Sequence, residues 1–335
     1  MNPRRLTTDV ALTRGQVVSK SSRPWPSLQP DASLWHLPIG KPIVLFLIYL
    51  YRTVTLETLQ LVYTAETGEG GAELPKHLRA LTEAGLIRRH LQPHHDRGRK
   101  PYVYTLLPSG VRDLPVEVPD QRLKRCLHNA GRQRHSGYTP LLKEAEFHAL
   151  WNLGSRKLQE AFSTIAYWRD GDIEFTARQG GTSSKLIPDS TILLNRYTHT
   201  RPVFVEVDMS RKNKTRFEDR LYAYHSLLMH QQDYVTDVFE RHAGFPAGKG
   251  IGLFLVEDPS RRDAFRERAA RYFTGIRPKP HMAFVSLTDL RDGRGRGPLI
   301  QPETLFSRPM ALRLSGHFAP ILEIGPSPRG TGDDD

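Results

Sequence analysis

The chain has 335 residues, and its 48 Lys and Arg against 36 Asp and Glu give a formal net charge of +12 and a pI near 9.8. That length holds about two domains, and a cation surplus of this size favours an anionic partner, either nucleic acid or an anionic membrane surface. Cys126 is the one cysteine, which excludes an intrachain disulfide and fits a reducing, cytoplasmic setting.

Residues 1–40 carry Arg4, Arg5, Arg14, Lys20 and Arg23 among Pro and Ser and read as a flexible basic arm. Next comes an apolar run, Pro42 to Tyr51, that stops at Arg52. It is too short for a membrane span of roughly 20 residues and reads as a buried helix. Without an anchor, nucleic acid explains the charge better than a membrane. Thr55 can cap a second helix with Leu56, Leu59, Leu61 and Val62 as its apolar positions. After a Gly68–Gly71 turn, a third helix over about 72–84 puts Leu74, Leu78 and Leu81 on one face and Lys76, His77 and Arg79 on the others. Gly85 suits a left-handed cap. Two β-capable runs, Leu86–His90 and Tyr102–Leu106, flank a loop containing Gly98 and read as a hairpin.

Three helices and a basic hairpin give the order of a winged helix, predicted for 41–113. The phrase from Leu78 to Arg88 resembles a recognition helix entering the wing in many bacterial regulators, and Tyr104–Gly110 resembles the end of that wing. A helix fits the DNA major groove, and a wing carries cations to neighbouring phosphates. Lys76, Arg79, Arg88, Arg89, Arg97, Arg99 and Lys100 are therefore the candidate DNA contacts. His90, His94 and His95 match no standard zinc spacing.

A polar stretch over 114–137, with Arg122, Lys124, Arg125, Arg132 and Arg134, reads as a linker. The second domain is assigned to 138–318. The expected order is a helix from Leu141 to about Phe162, strands near 172–177, 186–195 and 202–208, and a long helix over about 215–232. A strand at 251–256, a helix over 259–273 and a strand at 281–287 follow. This predicts a mixed α/β sheet flanked by helices. A tail over 319–335 closes the chain.

Alternation along the third strand puts Val203, Val205 and Val207 on one face and Glu206 and Asp208 on the other. If the strand carrying Asp189 pairs with it, three carboxylates converge. A hard divalent cation, Mg2+ or Mn2+, would offset their repulsion, polarise a phosphodiester and lower the pKa of a bound water. Arg211, Lys212, Lys214, Arg216 and Arg220 follow directly and can hold a phosphate backbone or form the wet side of a helix. Glu144, His148 and Asn152 share one helical stripe, which makes His148 a further candidate.

The pattern Pro188-Asp189 followed by Glu206 resembles the PD-(D/E)XK nucleases, with Asp208 where that family has lysine. Lys185, Lys212 and Lys214 are the candidates for a substitute. A closer resemblance is to the replication-relaxation family of plasmid and mobile-element proteins, related to relaxases of the mobilisation C class. It rests on the order of Phe147-His148-Ala149-Leu150, Trp168-Arg169, Pro188-Asp189, Phe204 to Asp208, and Arg220 to Tyr224. The family's Arg-Gly-Thr after Glu-x-Asp is here Met209-Ser210-Arg211. The resemblance implies a DNA endonuclease or nickase with Asp189, Glu206, Asp208 and His148 at its site. The alternative is a sequence-specific DNA-binding protein on a nuclease-like scaffold that does not cleave. Expected partners are double-stranded DNA, including a plasmid origin, with a homodimer or relaxosome-type proteins as further candidates.

Overall fold

The computed structural model describes residues 39–67, 71–91, 102–114, 138–157, 163–169, 173–179, 182–196, 199–208, 214–243, 246–276, 279–290, 309 and 311–321. The N-terminal arm, the 115–137 stretch, most of the hairpin loop and the C-terminal tail lie outside them.

The apolar run is helix α1, Lys41–Tyr51. Its mainly apolar sequence suits full enclosure, and every residue from Ile43 to Tyr51 is at most 3% exposed. Arg52 ends it, and a strand not expected from sequence follows at once, β1, Thr53–Thr55. The Thr55 hydroxyl accepts from Thr58 N–H at 3.1 Å, the cap expected for helix α2, Leu56–Thr67. Helix α3, Leu74–Glu83, buries Leu74, Leu78 and Leu81. It ends at Gly85, whose φ of 68° lies in the left-handed region, and Leu86 N–H closes the turn on the Leu81 carbonyl at 3.0 Å. Strands β2, Ile87–Leu91, and β3, Tyr102–Leu106, form the hairpin. The small sheet runs β1-β3-β2. A short helix α4, Pro108–Arg112, leaves it. Gly110 there passes so close to Leu86 that a Cβ would lie 2.0 Å from its carbonyl oxygen.

Helix α5, Tyr138–Lys157, opens the second unit. Strand β4, Ser163–Arg169, falls between the helix expected to end at about Phe162 and the strand expected near 172, where the sequence suggests no element. Strands β5, Phe175–Gln179, and β6, Thr182–Leu186, form a separate ribbon. The single strand expected over 186–195 is thus two. Chain direction breaks at Ile187-Pro188-Asp189, since proline cannot donate to a ladder, and β7, Ser190–Arg196, enters the main sheet. Strand β8, His199–Asp208, leads into helix α6, Lys214–His230, and then α7, Gln232–Ala243, a helix not expected from sequence. Strand β9, Ile251–Val256, helix α8, Pro259–Tyr272, and strand β10, Met282–Ser286, agree with expectation. Strands β11, Ala311–Arg313, and β12, Phe318–Ala319, complete the sheet. Residues 319–321, expected to belong to the tail, are part of this structure. Ala319 pairs with Ala311, and Arg313 donates to the Pro320 and Ile321 carbonyls.

The seven strands are ordered β12-β11-β10-β9-β8-β7-β4, with β8, β9 and β10 parallel and the outer pairings antiparallel. Each face of the sheet has its own core. Phe204, Leu193, Phe254 and Phe284 pack under α6, α7, α8 and the β5–β6 ribbon. Val203, Val205, Ile192 and Leu253 face α5, and that cluster continues without a break into α1, α2 and α3. The N-terminal unit rests on α5 through β1 and α2, so the two units share a hydrophobic core.

Trp151, in the middle of α5 and 1% exposed, belongs to that shared cluster. Trp151→Ala should destabilise the protein by about 3–5 kcal/mol. Urea unfolding followed by far-UV circular dichroism should show one transition at a lower midpoint, and a second transition left at its original midpoint would argue against a common core.

Candidate functional site

The parallel strands β8, β9 and β10 end on one edge of the sheet, at Asp208, Val256 and Ser286. Antiparallel β7 begins at that same edge. Ser190 pairs with Val205, and Asp189, in the bend just before β7, lies near enough to Glu206 for its charge to act there. Ligands of open α/β sheets gather at this kind of edge.

Glu206 is 6% exposed and projects under α6. The Tyr224 hydroxyl donates to Glu206 Oε1 at 2.7 Å. Arg220, one helical turn earlier, pairs with the same oxygen. The Arg220 guanidinium also donates to the Ile187 carbonyl at 3.2 Å, so it bridges the β6–β7 connection to strand β8. Asp189 Oδ2 accepts from Val207 N–H at 2.7 Å, which fixes this carboxylate against the neighbouring strand. Burial, then the Asp189 charge, push the Glu206 carboxyl up to about 8, against the opposing pull of Arg220 and Tyr224. Burial, then Glu206, raise the Tyr224 phenol well above its usual range. Burial works against the Arg220 charge, but Glu206, Tyr224 and Asp189 outweigh it and hold its pKa above the usual value.

Asp189 and Glu206 are thus brought together as the strand pairing required. The backbone of Asp208 pairs with Val256, and its side chain lies outside the described residues, as do Arg211, Lys212 and the side chains of Lys214 and Arg216. His148 is not part of this cluster. It reaches the sheet from α5 on the other face, where Nε2 shares a hydrogen bond with Ser190 Oγ at 2.9 Å and lies 3.9 Å from Glu144 Oε1. Ser190 thus faces α5, while Asp189, in the bend before it, turns its side chain to Val207 N–H and acts on Glu206 and Arg220. Lys185 pairs with Glu174. From sequence, Tyr224 belongs to the apolar stripe of α6 and Arg220 to phosphate contact. The signal that places both on Glu206 is their i, i+4 spacing on the helix that follows a strand with a core-facing acid.

A hard divalent cation would suit these carboxylate oxygens in kind. Among the described residues, which leave out the Asp208 side chain, no group of three acid, histidine or cysteine side chains is arranged to hold a metal.

In the N-terminal unit Arg79, Arg88 and Arg89 are exposed. The Arg89 guanidinium lies over the Tyr102 ring, 4.4 Å from its centroid. Lys76 is exposed and pairs with Glu73 at 2.8 Å. His90 Nε2 meets Thr105 Oγ1 at 3.1 Å. Arg97, Arg99, Lys100, His94 and His95 lie outside the described residues. No helix among the described residues is long and apolar enough to cross a membrane.

Fold and site together define a mixed α/β protein in which a small helical unit with a basic hairpin adjoins a sheet with paired carboxylates at its edge. The sequence profile of the replication-relaxation family matches residues 45–241, more than half of the chain, and the protein belongs to that family. Membership marks it as a replication-related protein of the plasmid or mobile-element kind. No curated protein sequence matches the chain. Among solved structures it is similar to protein VC1899 from Vibrio cholerae, at 12% identity and a TM-score of 0.26. That match covers 83% of this chain and 59% of the other, so this chain spans less than two thirds of its length.

Because the Glu206 carboxyl is raised from an ordinary 4.5 to about 8, the folded state holds a proton that the unfolded chain releases in that window. The stability this supplies is full below the ordinary value and is lost as pH rises towards 8. Glu206→Gln keeps an acceptor for Tyr224 and Arg220 but carries no titrating proton. Its unfolding free energy should be flatter between pH 5 and 8 than that of the wild type, and parallel pH profiles would refute the assignment.

Proposed function

We propose that the protein is a DNA-binding replication protein that grips duplex DNA with a winged-helix unit built from α3 and the β2–β3 hairpin. The observation that carries this reading is the division of that unit's surface. One side of α3 is sealed into the core by Leu74, Leu78 and Leu81, while Arg79, Arg88 and Arg89 stay exposed. The order of helices and strands, the charge of +12 and family membership all support it. On this reading α3 enters the major groove, and the hairpin lays Arg88 and Arg89 along phosphates. The basic segments 92–100 and 209–213 would add further phosphate contacts through Arg97, Arg99, Lys100, Arg211 and Lys212.

A second reading, phosphodiester cleavage at the sheet edge, is favoured by the nearness of Asp189, just before β7, to Glu206 of β8. Asp189 and Glu206, with Asp208, would hold Mg2+ or Mn2+, which when bound would polarise a phosphate and acidify a water. Val207 N–H would keep Asp189 aimed at the site. Tyr224 would hold the Glu206 carboxylate in one rotamer, and the β5–β6 ribbon and α6 would wall that face from bulk water.

Fluorescence anisotropy with labelled duplex DNA tests the binding reading. Arg88→Ala with Arg89→Ala should weaken binding and lower the slope of log affinity against log salt by about 0.9 for each phosphate that the variant no longer neutralises. An affinity indifferent to salt would rule out the phosphate grip. Supercoiled plasmid with Mg2+ or Mn2+ tests the second reading, which expects open circles that Asp189→Asn abolishes. Plasmid that is bound yet stays closed with either metal would leave the grip as the function.

A further inference from the structure

Arg220 occupies an unusual position for a residue beside a candidate metal site. Its guanidinium sits on Glu206 Oε1 and on the Ile187 carbonyl, two residues before Asp189. It therefore spans the two chain segments that deliver the carboxylates. A guanidinium and a hard divalent ion seek the same carboxylate lone pairs and repel one another, so the two do not share Glu206 Oε1. The geometry points to Arg220 as an internal counter-ion that keeps the Asp189–Glu206 pair closed to divalent metal while its guanidinium lies on Glu206. The inference rests on the metal reading of this edge and adds a condition to it.

The neighbours separate a movable partner from a fixed one. Tyr224 is fully buried and is packed against Phe204 and Phe254, so its hydroxyl has no route away from Glu206. The Arg220 side chain is 24% exposed and lies one turn nearer the helix start, at the edge where the strands end. Withdrawal of the guanidinium towards solvent leaves Glu206 held by Tyr224 and Asp189 held by Val207 N–H. A phosphate oxygen is the group best matched to receive that guanidinium. Metal would then be admitted when a nucleic-acid backbone reaches the edge.

The test is Mn2+ binding to the full chain, by titration calorimetry and by the loss of the free Mn2+ paramagnetic resonance signal. Arg220→Met removes the charge and keeps the bulk. Arg220→Lys keeps a cation at the position and separates charge from packing. Thermal melting of both variants confirms a folded chain. Arg220→Met should bind Mn2+ at least about tenfold more tightly than the wild type, with Arg220→Lys remaining close to the wild type. Equal affinity in all three proteins would overturn the counter-ion role and leave the metal reading standing. No Mn2+ binding in any of them would overturn both.

Discussion

The second unit is organised around one buried carboxylate. Glu206 lies near the end of β8, an inner strand of the seven-stranded sheet, buried on the face that packs against α6, where an unpaired ionised acid would be severely destabilising. Three arrangements offset that penalty. Tyr224 and Arg220 come from consecutive turns of the next helix, and the carboxyl itself is shifted towards its neutral form by burial and by Asp189. The angle at which α6 crosses the sheet is tied to these contacts, because both donors must reach the same oxygen. The break at Pro188 then sets Asp189 near Glu206 rather than further along the edge.

The sheet separates two polar groups that lie close together in sequence. Asp189 and Ser190 are adjacent, yet the bend before β7 turns Asp189 to Val207 N–H beside Glu206 while Ser190 meets His148 of α5. His148 and Glu144 gather around Ser190 within a nearly dry core, each at most 3% exposed. Their placement anchors the start of β7 to α5 and holds the Asp189 connection from behind. His148 thus acts as a support for the strand rather than as a neighbour of the carboxylates.

Much of this is legible from local pattern. Period-two alternation places the three valines of β8 on one face and Glu206 on the other, and helical periodicity finds α3, α6 and α8 within a few residues. Thr55 and Gly85 mark their helix ends because a cap is a local hydrogen-bonding problem. What escapes is non-local. Strand β1 has three residues, and its pairing with β3 is decided some fifty positions away. Strands β6 and β7 read as one run because Ile187-Pro188 is apolar, and a single proline does not announce that the two sides join different sheets. The pairing of Arg220 with Glu206 has a sequence signal only in its i, i+4 spacing with Tyr224, since an arginine alone on a helix after a strand looks the same whether it faces solvent or a buried acid. The family resemblance supplies the order of the pieces, and the packing supplies their partners.

Helix α5 belongs to both units, contributing Phe147, Leu150 and Trp151 to a cluster that reaches from α1 to β10. A duplex clasped by the small unit would therefore meet the sheet at an offset set by the width of one helix and its packing layers. The protein would behave as a ruler, and lengthening or shortening the segment between the units would leave that measure unchanged.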